Sequence, residues 1–163
     1  MYPSSYIPTE SNDVTRDPDE LWSDAGATLL PDGYFHVVLK IAPHYSNVEG
    51  SSTYHHLLFA NLSNQLRIEL KESKIAIECA GSVLSGPNSG TLAWTRETEL
   101  TIEAKVTPAG RYLKVSGADS GNFEISDSVD RPWPADNKFY ILGDSSGPQE
   151  GADLRYIGFK PPN

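Results

Sequence analysis

The 163-residue sequence has one cysteine, no long apolar run and few basic residues. Cys79 cannot form a disulfide within the chain, so we expect a fold without such cross-links and a thiol that serves as a small core residue. No stretch approaches the roughly 18 apolar residues that span a bilayer. Residues 1–30 contain no apolar segment of the kind found in secretory signals. We therefore expect neither membrane insertion nor a secretory signal.

Basic residues number 13 against 22 acidic ones, for a formal net charge of −9. A protein that binds duplex nucleic acid needs a basic footprint, and no stretch clusters Lys and Arg, so we expect no nucleic-acid partner. No cysteine pair is available for a metal, and the adjacent His55 and His56 face opposite ways on a strand. We expect no metal and no cofactor.

What the sequence has in quantity is turn residues, 13 Gly and 12 Pro, between short apolar runs. From residue 35 to 41, and again from 100 to 106, every second residue is apolar, which predicts half-buried strands. The connections at residues 72–73 and 108–110 predict two hairpins. About nine short strands predict an all-β sandwich or barrel. Residues 32–163 form this predicted domain.

The segment before it, residues 1–31, has the composition of an extended arm. Pro3 and Pro8 fix the backbone and remove two amide donors. Backbone groups that cannot be satisfied locally need a partner, either in the same domain or in a neighbouring subunit. We expect the apolar contacts of this arm to come from Tyr2, Tyr6, Ile7 and Trp22.

We find no catalytic residues by sequence. Glycoside hydrolysis needs two carboxylates that flank one bond. Glu124 and Asp127 are three apart and therefore point to opposite faces of a regular strand, while Glu69 stands alone on its own strand. We expect these to be solvated acidic residues in a protein that is not an enzyme.

Aromatic residues in loops are candidates for carbohydrate binding. Trp133 lies between two prolines, and Tyr45 and Tyr54 border another loop. Aromatic rings on such loops can stack on sugars, although they more often cover the end of a core or contact a neighbouring protein. The possible glycan-binding residues are thus Trp133, Tyr45 and Tyr54.

Two stretches resemble known families. TELTIEAKVTPAGRYLKVSG, followed by KFYILGDSSGPQEGADLRYIGF, resembles the closing strands of concanavalin A-like and laminin G-like sandwiches. This resemblance implies an antiparallel β-sandwich of that type with an extended N-terminal arm. It carries little information about function.

The opening YPSSYIPTESNDVTRDPD resembles the segment YPTSYIPT-x-G-x-x-VTRAAD that recurs in tailed-bacteriophage virion proteins. The matching residues are Tyr2, Pro3, Ser5, Tyr6, Ile7, Pro8, Thr9, Val14, Thr15, Arg16 and Asp19. Ser11–Asn12 departs from the pattern, which usually has a glycine there.

The resemblance implies a non-enzymatic structural protein of the virion, a capsid decoration protein or a tail-fibre module. Its arm would attach it to other virion proteins of the capsid or tail, and it would be a homo-oligomer. The alternative is a lectin-like module that recognises a host-surface glycan. A polysaccharide-degrading enzyme is the third reading, and it lacks the carboxylate pair.

Overall fold

A computed structural model describes residues 22–23, 33–48, 55–60, 66–71, 73–132, 139–144, 147–148 and 151–160. Within these ranges the fold is all-β, and no helix there is long and apolar enough to cross a membrane. The strands are β1 (Trp22–Ser23), β2 (Phe35–Pro43), β3 (His55–Ala60), β4 (Leu66–Lys71), β5 (Lys74–Cys79), β6 (Ser82–Gly86), β7 (Leu100–Thr107), β8 (Gly110–Ser116), β9 (Phe123–Asp127), β10 (Phe139–Ile141), β11 (Gly143–Asp144), β12 (Gly147–Pro148) and β13 (Ala152–Lys160).

Two antiparallel sheets pack face to face around one hydrophobic core. The first, sheet A, has the order β1-β10-β3-β4-β5-β6, and the second, sheet B, has the order β13-β2-β7-β8-β9. The short strands β11 and β12 form a separate two-stranded ribbon. The predicted all-β antiparallel sandwich is confirmed.

The centre of sheet B follows the period-two pattern of its sequence. In β2 the side chains of Phe35, Val37, Leu39 and Ile41 face the core, and in β7 those of Leu100, Ile102, Ala104 and Val106 do the same. Strand β2 pairs with β7 from Phe35↔Val106 to Ile41↔Leu100, so both apolar sets lie on one face. Each large apolar side chain buried in this way stabilises the fold by about 2 kcal/mol.

Both predicted hairpins are present. Strands β4 and β5 pair from Leu66↔Cys79 to Lys71↔Lys74, and β7 and β8 pair from Thr101↔Ser116 to Thr107↔Gly110. Cys79 is buried in the core, as predicted, and its burial raises the pKa of the thiol to about 12.

Strand β3 departs from simple alternation. Successive side chains of a regular strand point to opposite faces, yet Leu57 and Leu58 are both buried. The register with β4 shifts between His56 and Leu58, which leaves Leu57 as the extra residue of a β-bulge. Leu57 also accepts a hydrogen bond from the Leu142 amide at 3.1 Å through its carbonyl.

Trp94 is a core residue that the sequence patterns do not identify. It lies outside the strands and is among the largest fully buried side chains. Its indole N–H donates to the Tyr45 carbonyl at 2.9 Å, and its backbone N–H donates to the Asn47 side-chain oxygen at 3.2 Å. The residues that follow β2 are thus attached to the segment that precedes β7.

Arg111 joins the two sheets at their β6–β9 side. The residue is only 2% exposed, yet its guanidinium donates to Asp127 Oδ2 at 2.5 Å within sheet B and to the Ser82 carbonyl at 2.6 Å in sheet A. Burial alone would raise the pKa of Asp127, but hydrogen bonds from Arg111 and from the Val129 amide hold it below its usual range.

We predict that Asp127→Asn lowers the free energy of unfolding at pH 7 by about 3 kcal/mol, because it leaves a buried guanidinium without its counter-charge. The measurement is urea unfolding of both proteins across a pH series. Because the native pKa of Asp127 is depressed, its contribution is present above the ordinary aspartate pKa of about 3.9 and is lost as the pH falls through the native value.

The difference between the two proteins should therefore shrink in acid. Glu124→Gln, on the same strand but exposed, is the matched control and should cost little. An equal cost for both substitutions would show that Asp127 is not the sheet-joining partner of Arg111.

Candidate functional site

The predicted arm meets the sandwich at β1. Tyr2, Tyr6 and Ile7 lie outside the described residues. Trp22 lies in β1, whose backbone pairs with β10 in the register Trp22↔Tyr140 and Ser23↔Phe139. This segment of the arm therefore forms the outermost strand of sheet A.

Strand β10, which receives β1, is held by the body of the sandwich. Its register with β3 is Tyr140↔Phe59 and Ile141↔Leu58, and Ile141 belongs to the core. The next residue, Leu142, has a positive φ of 56° and donates its amide to Leu57. The chain turns sharply there into β11, so β10 is a short strand that is fixed on both sides.

The two sides of the sandwich differ. On one side, Arg111 in β8 reaches Ser82 in β6 and brings the edge strands β6 and β9 together. The opposite edges are β1 in sheet A and β13 in sheet B. The arm thus enters the sandwich on the side of β13, away from the Arg111 contact.

The structure corrects the prediction for Tyr45 as an exposed sugar platform. The residue is 4% exposed and belongs to the core. Its ring stacks on His55 at a centroid distance of 3.8 Å and meets Trp94 edge-on at 6.2 Å. Tyr45 is buried although it borders a loop, because its ring packs against the buried indole of Trp94. Trp133 and Tyr54, the other two glycan candidates, lie outside the described residues.

A carboxylate pair exists that the sequence analysis missed. Glu69 in β4 and Glu78 in β5 come to the same face of sheet A, because Arg67 pairs with Glu78 in register and Glu69 is two residues further on. The Arg67 guanidinium donates to Glu78 Oε2 through Nε at 2.7 Å and contacts it again through Nη2. The same guanidinium lies 3.9 Å from Glu69 Oε2.

His56 completes this cluster. Its Nε2 lies 3.3 Å from Glu69 Oε2, and its ring stacks on Phe59 at 4.9 Å. Its neighbour His55 stacks on Tyr45 instead, so the predicted opposite orientation of the two histidines is confirmed. In the described ranges no group of three or more His, Cys, Asp or Glu residues is arranged to hold a metal ion.

Glu124 and Asp127 point to opposite faces, as predicted. Asp127 turns inward to Arg111, whereas Glu124 turns outward and accepts a hydrogen bond from the Tyr112 hydroxyl at 3.2 Å. Glu124 is the last member of a chain of polar contacts on the outer face of sheet B, which we call the outer network. Its members are His36, Glu103, Lys105, Tyr112 and Glu124.

The outer network runs across four strands. His36 Nε2 lies 2.8 Å from Glu103 Oε1, and Lys105 Nζ lies 3.1 Å from the same oxygen. Lys105 Nζ also lies 5.1 Å from the centre of the Tyr112 ring. Burial, and then the charge of Lys105, lower the pKa of His36. Burial alone would raise the pKa of Glu103, but Lys105 and His36 hold it below its usual range.

No family model matches this sequence, and no curated protein matches it. Among solved structures, the fold is similar to part of tailspike protein 2 of bacteriophage CBA120, in its enzymatically active domain. The identity is 12%, the TM-score is 0.52, and the match covers 78% of this chain and 22% of the tailspike chain.

A second similar structure is a protein of unknown function from Shewanella oneidensis. It matches with 12% identity and a TM-score of 0.51, over 81% of this chain and 60% of the other. This chain is thus shorter than either structure it resembles. At such low identity the likeness shows the β-sandwich fold alone.

We predict that Tyr45→Ala acts on stability, since the ring lies in the core. The expected loss is about 3 kcal/mol of unfolding free energy, as for other large aromatic truncations. Urea unfolding monitored by far-ultraviolet circular dichroism measures it. Val48→Ala, in the same segment at 74% exposed, is the control and should change little. A Tyr45→Ala protein as stable as the wild type would contradict the buried placement.

Proposed function

We propose that this chain is a non-enzymatic structural module of a tailed-phage virion, either a capsid decoration protein or a tail-fibre module, that is held in place by its N-terminal arm. The observation that carries the proposal is the pairing of β1 with β10. It joins the arm to the edge of sheet A, and residues 1–21 precede this strand in the sequence. Those residues contain the stretch that resembles a recurrent segment of virion proteins.

The arm is suited to attachment by strand addition. An extended segment with unsatisfied backbone groups binds by pairing with a sheet edge, and its side chains give specificity. In this proposal Tyr2, Tyr6 and Ile7 contact a neighbouring virion subunit, and several copies assemble around the same particle. The likeness to a phage tailspike domain supports this reading only as far as the fold.

The carboxylates support a non-enzymatic role. In a glycosidase the bond to be cleaved lies between the two carboxyl groups. Here the Arg67 guanidinium lies between Glu69 and Glu78 and contacts both. Because the Arg67 side chain occupies the space between the two carboxylates, Glu69 and Glu78 have a structural role in this proposal.

Carbohydrate recognition is a second candidate function, and one observation on strand β13 favours it. Tyr156 on β13 is 44% exposed, one of the few large exposed hydrophobic residues in the described ranges. Tyr45 is buried in the core and is not part of this second candidate site.

We predict that a full-length variant with Tyr2→Ser, Tyr6→Ser and Ile7→Ser loses attachment to phage particles that lack this protein. Co-sedimentation with such particles measures attachment. Urea unfolding should be unchanged, because the substituted residues precede β1. The matched control carries Val48→Ser and Val83→Ser, two exposed apolar residues of the sandwich. If the arm variant attaches as well as this control, the arm is not the anchor.

A further inference from the structure

Tyr156 lies on the outer face of sheet B. Strand β13 pairs with β2 in the register Tyr156↔Lys40, Ile157↔Leu39 and Gly158↔Val38. Because Leu39 faces the core, Ile157 faces inward and Tyr156 and Gly158 face outward. The bulge at Arg155, where the register shifts, sets this orientation.

The Tyr156 ring covers Gly158. A Cβ atom added to this glycine would lie 2.7 Å from Tyr156 Cζ and 2.9 Å from its Cε1. The absence of a side chain at Gly158 therefore lets the ring rest on the strand backbone. The hydroxyl end of the ring thus lies against Gly158, and the residue as a whole remains 44% exposed.

The same face carries more positive than negative charge. It consists of the three rows of residues in register with Lys40, Val38 and His36. These rows contain Lys40, Lys105, Lys114 and Lys160, and they contain Glu103 and Glu124. Asp153, one row further, is paired with Arg155 at 2.7 Å. An excess of two positive charges on one face is unusual in a chain of net charge −9.

The members of the outer network are held in place by contacts with one another. The outer network fixes Glu103 between His36 and Lys105, and it fixes Tyr112 between Lys105 and Glu124. Side chains that are already ordered cost less entropy when they bind. Tyr112 and Tyr156 stand on strands three positions apart and in rows four residues apart, which places them about 20 Å from each other at the usual strand spacing and rise per residue.

We infer that the outer face of sheet B binds an acidic oligosaccharide, one whose sugars carry carboxylate or other anionic groups. The weakly positive C–H face of a sugar stacks on the negative π face of Tyr156. Lys40 and Lys114 bind the anionic groups, and the Glu103 and Glu124 carboxylates accept hydrogen bonds from hydroxyls. The distance between the two tyrosines fits several sugar units rather than one. This inference rests on the second candidate function, carbohydrate recognition, and is independent of the virion role.

Charge complementarity favours this ligand over nucleic acid. Glu103 pairs in register with Lys114, which pairs with Glu124, so carboxylates alternate with lysine across the strands. A backbone with a phosphate at every unit would meet these carboxylates, whereas a saccharide supplies hydroxyls to them. The overall negative charge of the chain also opposes binding to a polyanion of high charge density.

The test is calorimetric titration of the full-length protein with galacturonate, sialate and neutral galactose oligosaccharides of equal length, and with single-stranded DNA. We expect binding of at least one acidic series, weakened by added salt because the lysine contacts are screened. Tyr156→Ala should weaken it about tenfold through loss of stacking. Lys40→Gln should weaken binding of the acidic series.

Gly158→Ala is the sharper variant, because it keeps the tyrosine and displaces its ring. The new methyl group meets the flexible end of the Tyr156 side chain, so the fold should persist. It should weaken binding about as much as Tyr156→Ala, again about tenfold. Val83→Ala, at 54% exposed on the other sheet, should bind as the wild type does.

The titrations distinguish the acidic ligand class, carbohydrate recognition in general and the position of the site. Equal binding of neutral oligosaccharides, still dependent on Tyr156, would overturn the acidic class and keep carbohydrate recognition. No binding to any of the three series would overturn both. Wild-type affinity in Tyr156→Ala and Gly158→Ala would place the site elsewhere, and tighter binding of single-stranded DNA would replace the saccharide with nucleic acid. None of these results bears on attachment through the arm.

Discussion

The guanidinium of Arg111 makes a polar contact that ties the two sheets of this sandwich together. Apolar packing alone sets the distance between the sheets but is tolerant of sliding, since hydrophobic attraction has no direction. Hydrogen bonds from one buried cation to Asp127 in sheet B and to the Ser82 carbonyl in sheet A do have direction. They fix β6 against β9 and thereby the relative position of the sheets. The cost of burying the charge is offset by these hydrogen bonds and by the carboxylate that faces it.

Closing one side of the sandwich in this way makes its two sides unlike. The β6–β9 side is joined by side chains, while on the other side the sheet is extended by β1, a strand supplied by the N-terminal segment. The glycine at position 110 belongs to the closed side: its φ is 134°, and a Cβ there would lie 2.8 Å from Ser128 Cα. That close approach brings Asp127 beside Arg111. The backbone of the β7–β8 hairpin thus helps to close the β6–β9 side of the sandwich, opposite the edge that carries β1.

Local pattern predicted the centre of each sheet, and contacts between strands decided the rest. The alternation of apolar residues predicted β2 and β7 correctly, since every second residue of each strand is apolar and buried. The same reasoning failed at Leu57, where a bulge adds a residue that no local pattern marks. It treated Glu69 as solitary because Glu78 belongs to the next strand, and it placed Tyr45 outside because Trp94 is 49 residues away. The outer network could not be predicted for the same reason. No single member carries a sequence signal, and only the register of four strands brings the members together.

The proposed attachment and the proposed saccharide recognition involve different parts of the sandwich. Strand β1 extends the edge of sheet A, whereas the Tyr156 face belongs to sheet B and points away from the core. The two surfaces share no residue, so a substitution in one leaves the other intact. Both surfaces belong to the same sandwich, and Arg111 joins its two sheets. The two proposals together predict that a loosened Arg111 contact, by allowing the sheets to slide, weakens attachment and saccharide binding together, whereas changes at Tyr156 or in the arm affect only one of them.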